Sequence, residues 1–350
     1  MKQASASSAG PGVVIEPSTV DHEVTKITKM PLRIAVVGVG HLGRQHARIL
    51  STLPGATLVA VVDTNRARAE EIAAANGARP FMHFRDVLGQ VDAVTLAVPT
   101  ELHREIGLPF LSSGVPVLVE KPIARSLGEA DDMVAAAARG KVALAVGHTE
   151  RFNPAVAAAR ALVTDPRFIE VHRLGTFPER SLDIDVVFDL MIHDLDVVLS
   201  LVRSEVDSIE AVGVPVLTDR VDIANARVRF ACGCVANLTA SRISRERVRK
   251  IRFFQPAAYL SIDYAAQKVE VWRLVRGGDG PPSIQGGDIE VTNEEPLKRE
   301  LADFVDAVAS GRAPGVTGEE GRRALALAQR ITDRMTTEMQ PRKREDTKNY

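Results

Sequence analysis

The sequence predicts an α/β chain in two parts: an N-terminal domain on a doubly wound parallel sheet, then a C-terminal α+β domain with a mostly antiparallel sheet. Three observations predict it. Between Arg33 and about residue 150, short apolar runs without polar alternation recur between helical stretches, the rhythm of parallel strands joined by right-handed crossovers. Beyond that point short strand-like pieces follow one another, with Arg227, Arg229, Thr239 and Ser241 set between apolar neighbours, as suits an antiparallel sheet wet on one face. The 350 residues, 45% apolar and 25% charged, suffice for two real cores.

Residues 1–30 are rich in Ser, Ala, Gly and Pro and read as a disordered tail. The first domain spans 31–150. Ile34 to Gly38 is a strand apolar on both faces, followed by a helix from His41 to Leu50. A second buried run, Leu58–Val62, leads to Asp63; the Ala- and Glu-rich stretch Asn65–Asn76 is helical and Gly77 stops it. Val91–Val98, Val115–Val119 and Val142–Val146 are further strands, separated by helices near Leu102–Leu111 and Leu127–Arg139. The second domain spans 151–337. It holds a helix near Pro154–Val163, a strand near Ile169–Leu174 and a helix near Val187–Leu201. Strands follow at Ile209–Val212, Ile223–Phe230, Val235–Ala240, Val248–Phe254, Ala258–Ile262 and Val269–Leu274, with Gly233 turning a hairpin. A Gly/Pro-rich loop, Arg276–Gly287, breaks the region before helices at Pro296–Ala309 and Gly318–Thr336; 338–350 is a charged tail.

Composition excludes several classes. The 44 basic and 45 acidic residues leave a net charge of −1, which argues against nucleic acid or an anionic membrane as partner. No apolar run approaches a membrane span, and Val13-Val14-Ile15 is too short for a secretory signal, so a cytoplasmic location is expected. The two cysteines, Cys232 and Cys234, exclude a disulfide framework and are expected to be reduced thiols.

The first strand runs into Gly38-Val39-Gly40-His41-Leu42-Gly43, a G-x-G-x-x-G string between strand and helix. Gly38 permits the tight turn, Gly40 lets a pyrophosphate approach the backbone, and Gly43 lets the helix pack close to the sheet. The helix N-terminus offers free N–H groups to the phosphates, near His41 and Leu42. Asp63, twenty positions beyond Gly43, ends the second strand, where a carboxylate binds the adenosine ribose hydroxyls. A 2′-phosphate about 4 Å from that carboxylate would cost about 4 kcal/mol. NAD is therefore expected over NADP, with Arg66 as a further cofactor contact. Pro99 and Thr100 close the third strand, and His103 just beyond them is expected to approach the nicotinamide.

Val119-Glu120-Lys121-Pro122, followed by Asp189-Leu190-Met191-Ile192-His193, resembles the glucose–fructose oxidoreductase, inositol dehydrogenase and MocA family. The likeness extends over about residues 32–336, including Pro296-Leu297-Lys298-Arg299-Glu300-Leu301. It implies a Rossmann domain, a C-terminal domain on an open sheet that mediates a homo-oligomer (dimer or tetramer), and NAD-dependent oxidation of a sugar hydroxyl. By the same resemblance Glu120 and Lys121 lie at the cofactor, and Lys121 touches both nicotinamide and the reacting hydroxyl. The residues agree: on a helix, positions four apart share a face, so Asp189 and His193 can serve one site. Oxidation of a secondary alcohol needs a base for the hydroxyl proton. His193 is the expected base, Asp189 its partner or a substrate ligand, and Lys121 the polarising cation. His41 and His46 read as helix-face residues. No metal is expected, because His193-Asp194-Leu195-Asp196 has no matching ligand pair elsewhere.

The last strand of the first domain leads into Gly147-His148-Thr149-Glu150-Arg151-Phe152-Asn153-Pro154, at the edge where open α/β sheets bind ligands. Glu150, Arg151 and Asn153 are candidates to hold substrate: Arg for a phosphate through a bidentate pair, Asn for hydroxyls or an acetamido group. The bland alternative is a linker with helix-capping residues. Arg-Phe-Asn-Pro and the run Phe177–Asp185 resemble the nucleotide-sugar branch of the family, which implies oxidation at C3 of a UDP-N-acetyl sugar, a step toward lipid A. Where many relatives carry Gly-Gly before Asp-x-x-x-His, this chain has Ile184-Asp185-Val186-Val187-Phe188. That bulkier, more acidic loop adds Arg180, Asp183 and Asp185 as substrate contacts. The competing readings are a free-polyol dehydrogenase, an NAD-dependent glycosidase and a non-catalytic dinucleotide sensor.

Overall fold

Fully apolar strands need cover on both faces, and the central strands of the first sheet receive it. A computed structural model describes residues 30–177, 184–276 and 281–339; the tail 1–29 and most of the charged C-terminal tail fall outside the described residues. The first sheet has strands β1 (Leu32–Val37), β2 (Ala56–Val62), β3 (Arg79–Phe81), β4 (Ala93–Leu96), β5 (Val117–Glu120) and β6 (Leu144–Gly147). They are parallel, in the order β3-β2-β1-β4-β5-β6. The order reverses between β1 and β4, which opens a crevice at their carboxyl ends. The helices are α1 (Gly43–Leu50), α2 (Arg66–Asn76), α3 (His103–Ser112) and α4 (Leu127–Gly140). α2 begins where the Asn65 side chain accepts from the Arg68 N–H and ends at Gly77 with φ +68°, the expected cap and stop.

The second sheet has β7 (Phe168–Leu174), β8 (Val206–Val214), β9 (Ile223–Phe230), β10 (Val235–Ser241), β11 (Val248–Gln255), β12 (Ala258–Asp263), β13 (Lys268–Val275) and β14 (Ser283–Ile289). Its order is β14-β13-β12-β11-β7-β10-β9-β8, antiparallel except between β7 and β10. One face carries Ile169, Val171, Val228, Leu238, Ile251 and Phe253. It is covered by α5 (Pro154–Ala159), α6 (Ile192–Leu201) and α8 (Gly318–Met339). The other face leaves Val212, Val214, Phe254 and Trp272 exposed.

Two strands escape the sequence reading. β14 occupies the end of the expected loop Arg276–Gly287 and pairs with β13 from Val275↔Ser283 to Val269↔Ile289. Its glycines hide it: a Cβ on Gly286 would lie 2.0 Å from the Val271 carbonyl oxygen, so the close approach that makes the strand needs the residue that disguises it. β3 is three residues long and includes Pro80, below any periodicity. The helix expected near Pro154–Val163 stops at Ala159.

The last two helices tie the sheets together. α7 (Pro296–Ser310) lays Leu301, Phe304 and Val305 on the layer formed by Ile34, Val36 and Leu50, each buried apolar side chain contributing about 1.5–3 kcal/mol. α8 crosses β6 so closely that a Cβ on Gly321 would sit 2.5 Å from Val146, and farther along it packs Ala328 and Ile331 into the second core.

Candidate active site

The glycine loop is built by local backbone chemistry. Gly38 has φ +82°, and a Cβ there would lie 2.6 Å from the Ala97 carbonyl oxygen. A Cβ on Gly43 would lie 1.8 Å from the Gly38 oxygen, so α1 starts as close to the sheet as backbone allows. Gly40 is different: a Cβ would meet nothing within 4 Å, so its bareness serves no packing need and leaves the backbone open. No side chain caps α1, and His41 and Leu42 are exposed beside its open end. Asp63 is nearly buried; its carboxylate accepts from the Val39 N–H at 3.0 Å and the Asn65 N–H at 2.8 Å, which ties the loop to β2. This open, anion-ready cradle fits the pyrophosphate of a dinucleotide. Arg66 is set apart from it, exposed and 3.5 Å from Glu70. Arg68 is the arginine that reaches Asp63, at 3.5 Å, because helical geometry turns Arg66 outward and Arg68 back over the strand end.

Pro99 and Thr100 follow β4 at the crevice, in a short 3₁₀ turn. His103 does not face it. The ring is 1% exposed and lies 3.1 Å from the Val98 oxygen and 3.1 Å from the Pro122 oxygen; it braces two loops, and burial holds its pKa below the usual value.

β5 delivers Lys121 into the crevice. Its ammonium donates to the Asp189 carbonyl at 2.7 Å and to Asp189 Oδ1 at 3.4 Å. Asp189 sits in a π-helical turn, Val187–Met191, that precedes α6, where a regular helix was expected; such turns redirect side chains and recur at functional sites. His193 follows in the first turn of α6. Its Nδ1 is buried without a partner, and the ring meets His148 edge-on with centroids 6.4 Å apart. Burial, and then the charge of Lys121, push the His193 pKa well below 6.5. Lys121, Asp189 and His193 therefore come together from two distant segments.

The expected substrate ligands mostly do not. Arg151 forms a bidentate pair with Asp196, 2.8 Å for both bonds, and reaches Glu320 at 3.1 Å, with its side chain 5% exposed. Asn153 caps α5 through the Ala155 N–H and donates to the Tyr264 carbonyl. Glu150 accepts from Arg173 at 3.0 Å, and Arg173 in turn forks onto Asp194 at 2.6 and 3.0 Å. Asp185 accepts from the Val221 N–H. Buried charges must pair, and these have paired with one another, with Asp194 and Asp196 tying α6 to Arg173 and Arg151. Arg180 and Asp183 lie outside the described residues.

Behind Lys121 lies a polar cluster that sequence patterning missed. Glu120 is buried, accepts from its neighbour's N–H at 3.3 Å, and lies 3.0 Å from His46 Nε2; it faces inward rather than toward a cofactor. His46, read as a helix-face residue, is fully buried. Glu300 on α7 accepts from the Thr149 hydroxyl at 2.9 Å and leaves Oε1 without a partner. Burial, and then the Glu120 carboxylate, push Glu300 well above the ordinary range. The available signal was a glutamate set among Leu297, Leu301 and Phe304 on the apolar side of α7.

A family described as "Oxidoreductase family, NAD-binding Rossmann fold" matches residues 32–148, and a "GFO/IDH/MocA C-terminal domain" matches 128–254. A UDP-N-acetylglucosamine 3-dehydrogenase of Acidithiobacillus ferrooxidans is 38% identical over 302 residues, 86% of this chain and 96% of the relative. The chain belongs to the Gfo/Idh/MocA oxidoreductase family. A solved structure of that Acidithiobacillus enzyme superposes with a TM-score of 0.82 over 88% of this chain and 99% of its own, at 36% identity. An inositol 2-dehydrogenase of Rhizobium meliloti is 27% identical over 85% of this chain and 95% of the relative. A levoglucosan dehydrogenase in complex with NADH and levoglucosan shares the fold, at TM-score 0.80 and 19% identity over 88% of this chain and 98% of its own. This family membership makes the chain an oxidoreductase whose cofactor is NAD. Among the described residues, no helix is long and apolar enough to cross a membrane.

Proposed function

We propose that the chain is an NAD-dependent dehydrogenase that oxidises C3 of a UDP-N-acetyl sugar. The carrying observation is the meeting of Lys121, Asp189 and His193 at the mouth of the β1/β4 crevice, in a chain 38% identical to a UDP-N-acetylglucosamine 3-dehydrogenase. When bound, NAD supplies the acceptor for the hydride; the Gly38–Gly43 loop, Asp63, Pro99, Thr100 and Lys121 would hold it. His193 takes the hydroxyl proton. Its depressed pKa keeps the ring neutral and able to accept near neutral pH. Lys121, anchored by the Asp189 carbonyl, presents a fixed positive charge that favours alkoxide character in the reacting oxygen. Asp189 orients that ammonium. The paired Arg151–Asp196 and Arg173–Asp194 hold the helix that carries His193, so the base arrives preorganised. The uncovered face of the second sheet, where Val212, Val214, Phe254 and Trp272 are exposed among polar side chains, would be the surface of a homo-oligomer.

The test is a panel of UDP-N-acetylglucosamine, UDP-N-acetylgalactosamine, UDP-glucose, myo-inositol and glucose, mixed with enzyme and NAD. Net growth of NADH with the N-acetylated nucleotide sugars is expected. Growth only with free polyols would sink the substrate assignment, and UDP release without NADH would point to glycosidase chemistry.

A further inference from the structure

A nucleotide sugar brings a diphosphate into the pocket, and a diphosphate needs cations. The arginine expected to meet it, Arg151, is locked in a buried pair, and so is Arg173. The pairing of β7 with β11 shows which cations remain. The two strands run antiparallel, with Ile169 opposite Phe253, Val171 opposite Ile251, and Arg173 opposite Arg249. Directly opposed residues share a face. The covered face of β11 thus passes from the buried Phe253 and Ile251 to Arg249, and Arg247 lies in the loop just before the strand. That face leaves the core where Arg173 meets Asp194, the residue after His193.

Arg249 differs from its neighbour across the pair. Arg173 has two carboxylates, Asp194 and Glu150. Among the described residues the Arg249 side chain forms no hydrogen bond or ion pair, and it is exposed. Arg247 lies 3.4 Å from the hydroxyl of Thr176, two residues past the end of β7, so it stands over the same strand end. Among the described residues neither guanidinium forms an ion pair with a carboxylate, and both stand at the strand end beside the helix that carries His193. We propose that Arg249 and Arg247 form the diphosphate subsite of the substrate pocket, gripping the phosphates by forked hydrogen bonds so that the sugar hydroxyl is set at His193. This rests on the nucleotide-sugar reading above.

The experiment uses the NAD-loaded enzyme, with calorimetric titration of UDP beside steady-state kinetics on UDP-N-acetylglucosamine. Arg249→Gln is expected to weaken UDP binding and raise KM by about 10–100-fold, with kcat within about threefold of the parent and the NAD Kd unchanged. Arg247→Gln should act in the same direction by a smaller factor, and Arg249→Lys should restore part of the affinity. Should Arg249→Gln fail to fold, Arg249→Lys and Arg247→Gln carry the test. UDP affinity and KM equal to the parent's in these variants would overturn the subsite while leaving the dehydrogenase reading intact. A parent enzyme that binds UDP through Arg249 but oxidises only free polyols would keep the subsite and sink the substrate reading. A parent that binds no UDP overturns the subsite.

Discussion

In the six-stranded sheet, the strands β1, β4, β5 and β6 are buried on both faces where they pair, and what meets a ligand is mostly backbone at the strand ends: the open N–H groups of the Gly38–Gly43 loop and the start of α1. In the eight-stranded sheet, alternate residues face α6, and strand register sets long side chains beside the helix of His193: Arg173, paired with Asp194, and opposite it Arg249, proposed above for the diphosphate. The first kind of site is short-range and written contiguously. The second is assembled by pairings between residues tens of positions apart. Lys121 is where they meet, a strand-end residue of the first sheet anchored on the Asp189 turn of the second part.

The sharpest separation of the two comes from removing the base. His193→Ala is expected to lower kcat by about 10²–10⁴-fold while the NAD Kd, a property of the first sheet, stays within about twofold. Unchanged turnover would remove His193 from the chemistry. The parent's pH profile bears on the same residue. A base must be neutral, and a pKa pushed below 6.5 extends the neutral form to lower pH. kcat/KM should therefore stay level as pH falls to about 6.5 and decline only below it; a decline centred above that value would show that His193 is not the titrating base.

Next in size is the clamp of the second region. Arg151→Ala leaves Asp196 buried without its partner, and breaking a buried pair from one side costs about 3–5 kcal/mol. Thermal unfolding should show a lowered Tm. A Tm within about 2 °C of the parent's would mean that α6 is held by other means.

The first region is broken differently. Gly40→Val meets open space in the protein, so it should fold with the parent's Tm and yet lose about 10²-fold in NAD affinity, some 2.7 kcal/mol. Gly43→Val, whose Cβ would strike the Gly38 oxygen, should lose stability instead. Tight NAD binding by Gly40→Val would refute the cradle.

These two regions also differ in what sequence reading could reach. Apolar runs and the spacing of three glycines and Asp63 are local signals, and each appears in the structure within a few residues of its expected place. Motif resemblance and helical spacing point to Lys121, Asp189 and His193, but carry no sign of the π-helical turn. The strand edge, where ligands bind, points to Glu150, Arg151 and Asn153 as substrate ligands. Their partners, Arg173, Asp196, Glu320 and Tyr264, stand 23 to 169 positions away from them, and no local pattern reports such pairings. The same blindness hid Arg249, whose role depends on lying opposite Arg173, and His46, whose partner Glu120 is 74 positions on.

The smallest effect probes the join between the regions. Glu300 comes from α7 and is buried beside Glu120 with one oxygen unpartnered. Its folded-state pKa is raised above 4.5, so the native protein keeps a proton that the unfolded chain releases. Stability then falls as pH rises from about 4.5 toward the folded-state pKa, at no more than about 1.4 kcal/mol per pH unit, and levels off above it. Glu300→Gln keeps the shape and the neutral charge but cannot ionise, so it removes that slope. The Tm of the variant minus that of the parent should grow as pH is raised from about 5 to 8. A difference that stays flat would mean that Glu300 is ionised in the fold, and that the cluster behind Lys121 holds two carboxylates rather than a carboxylic acid beside a carboxylate.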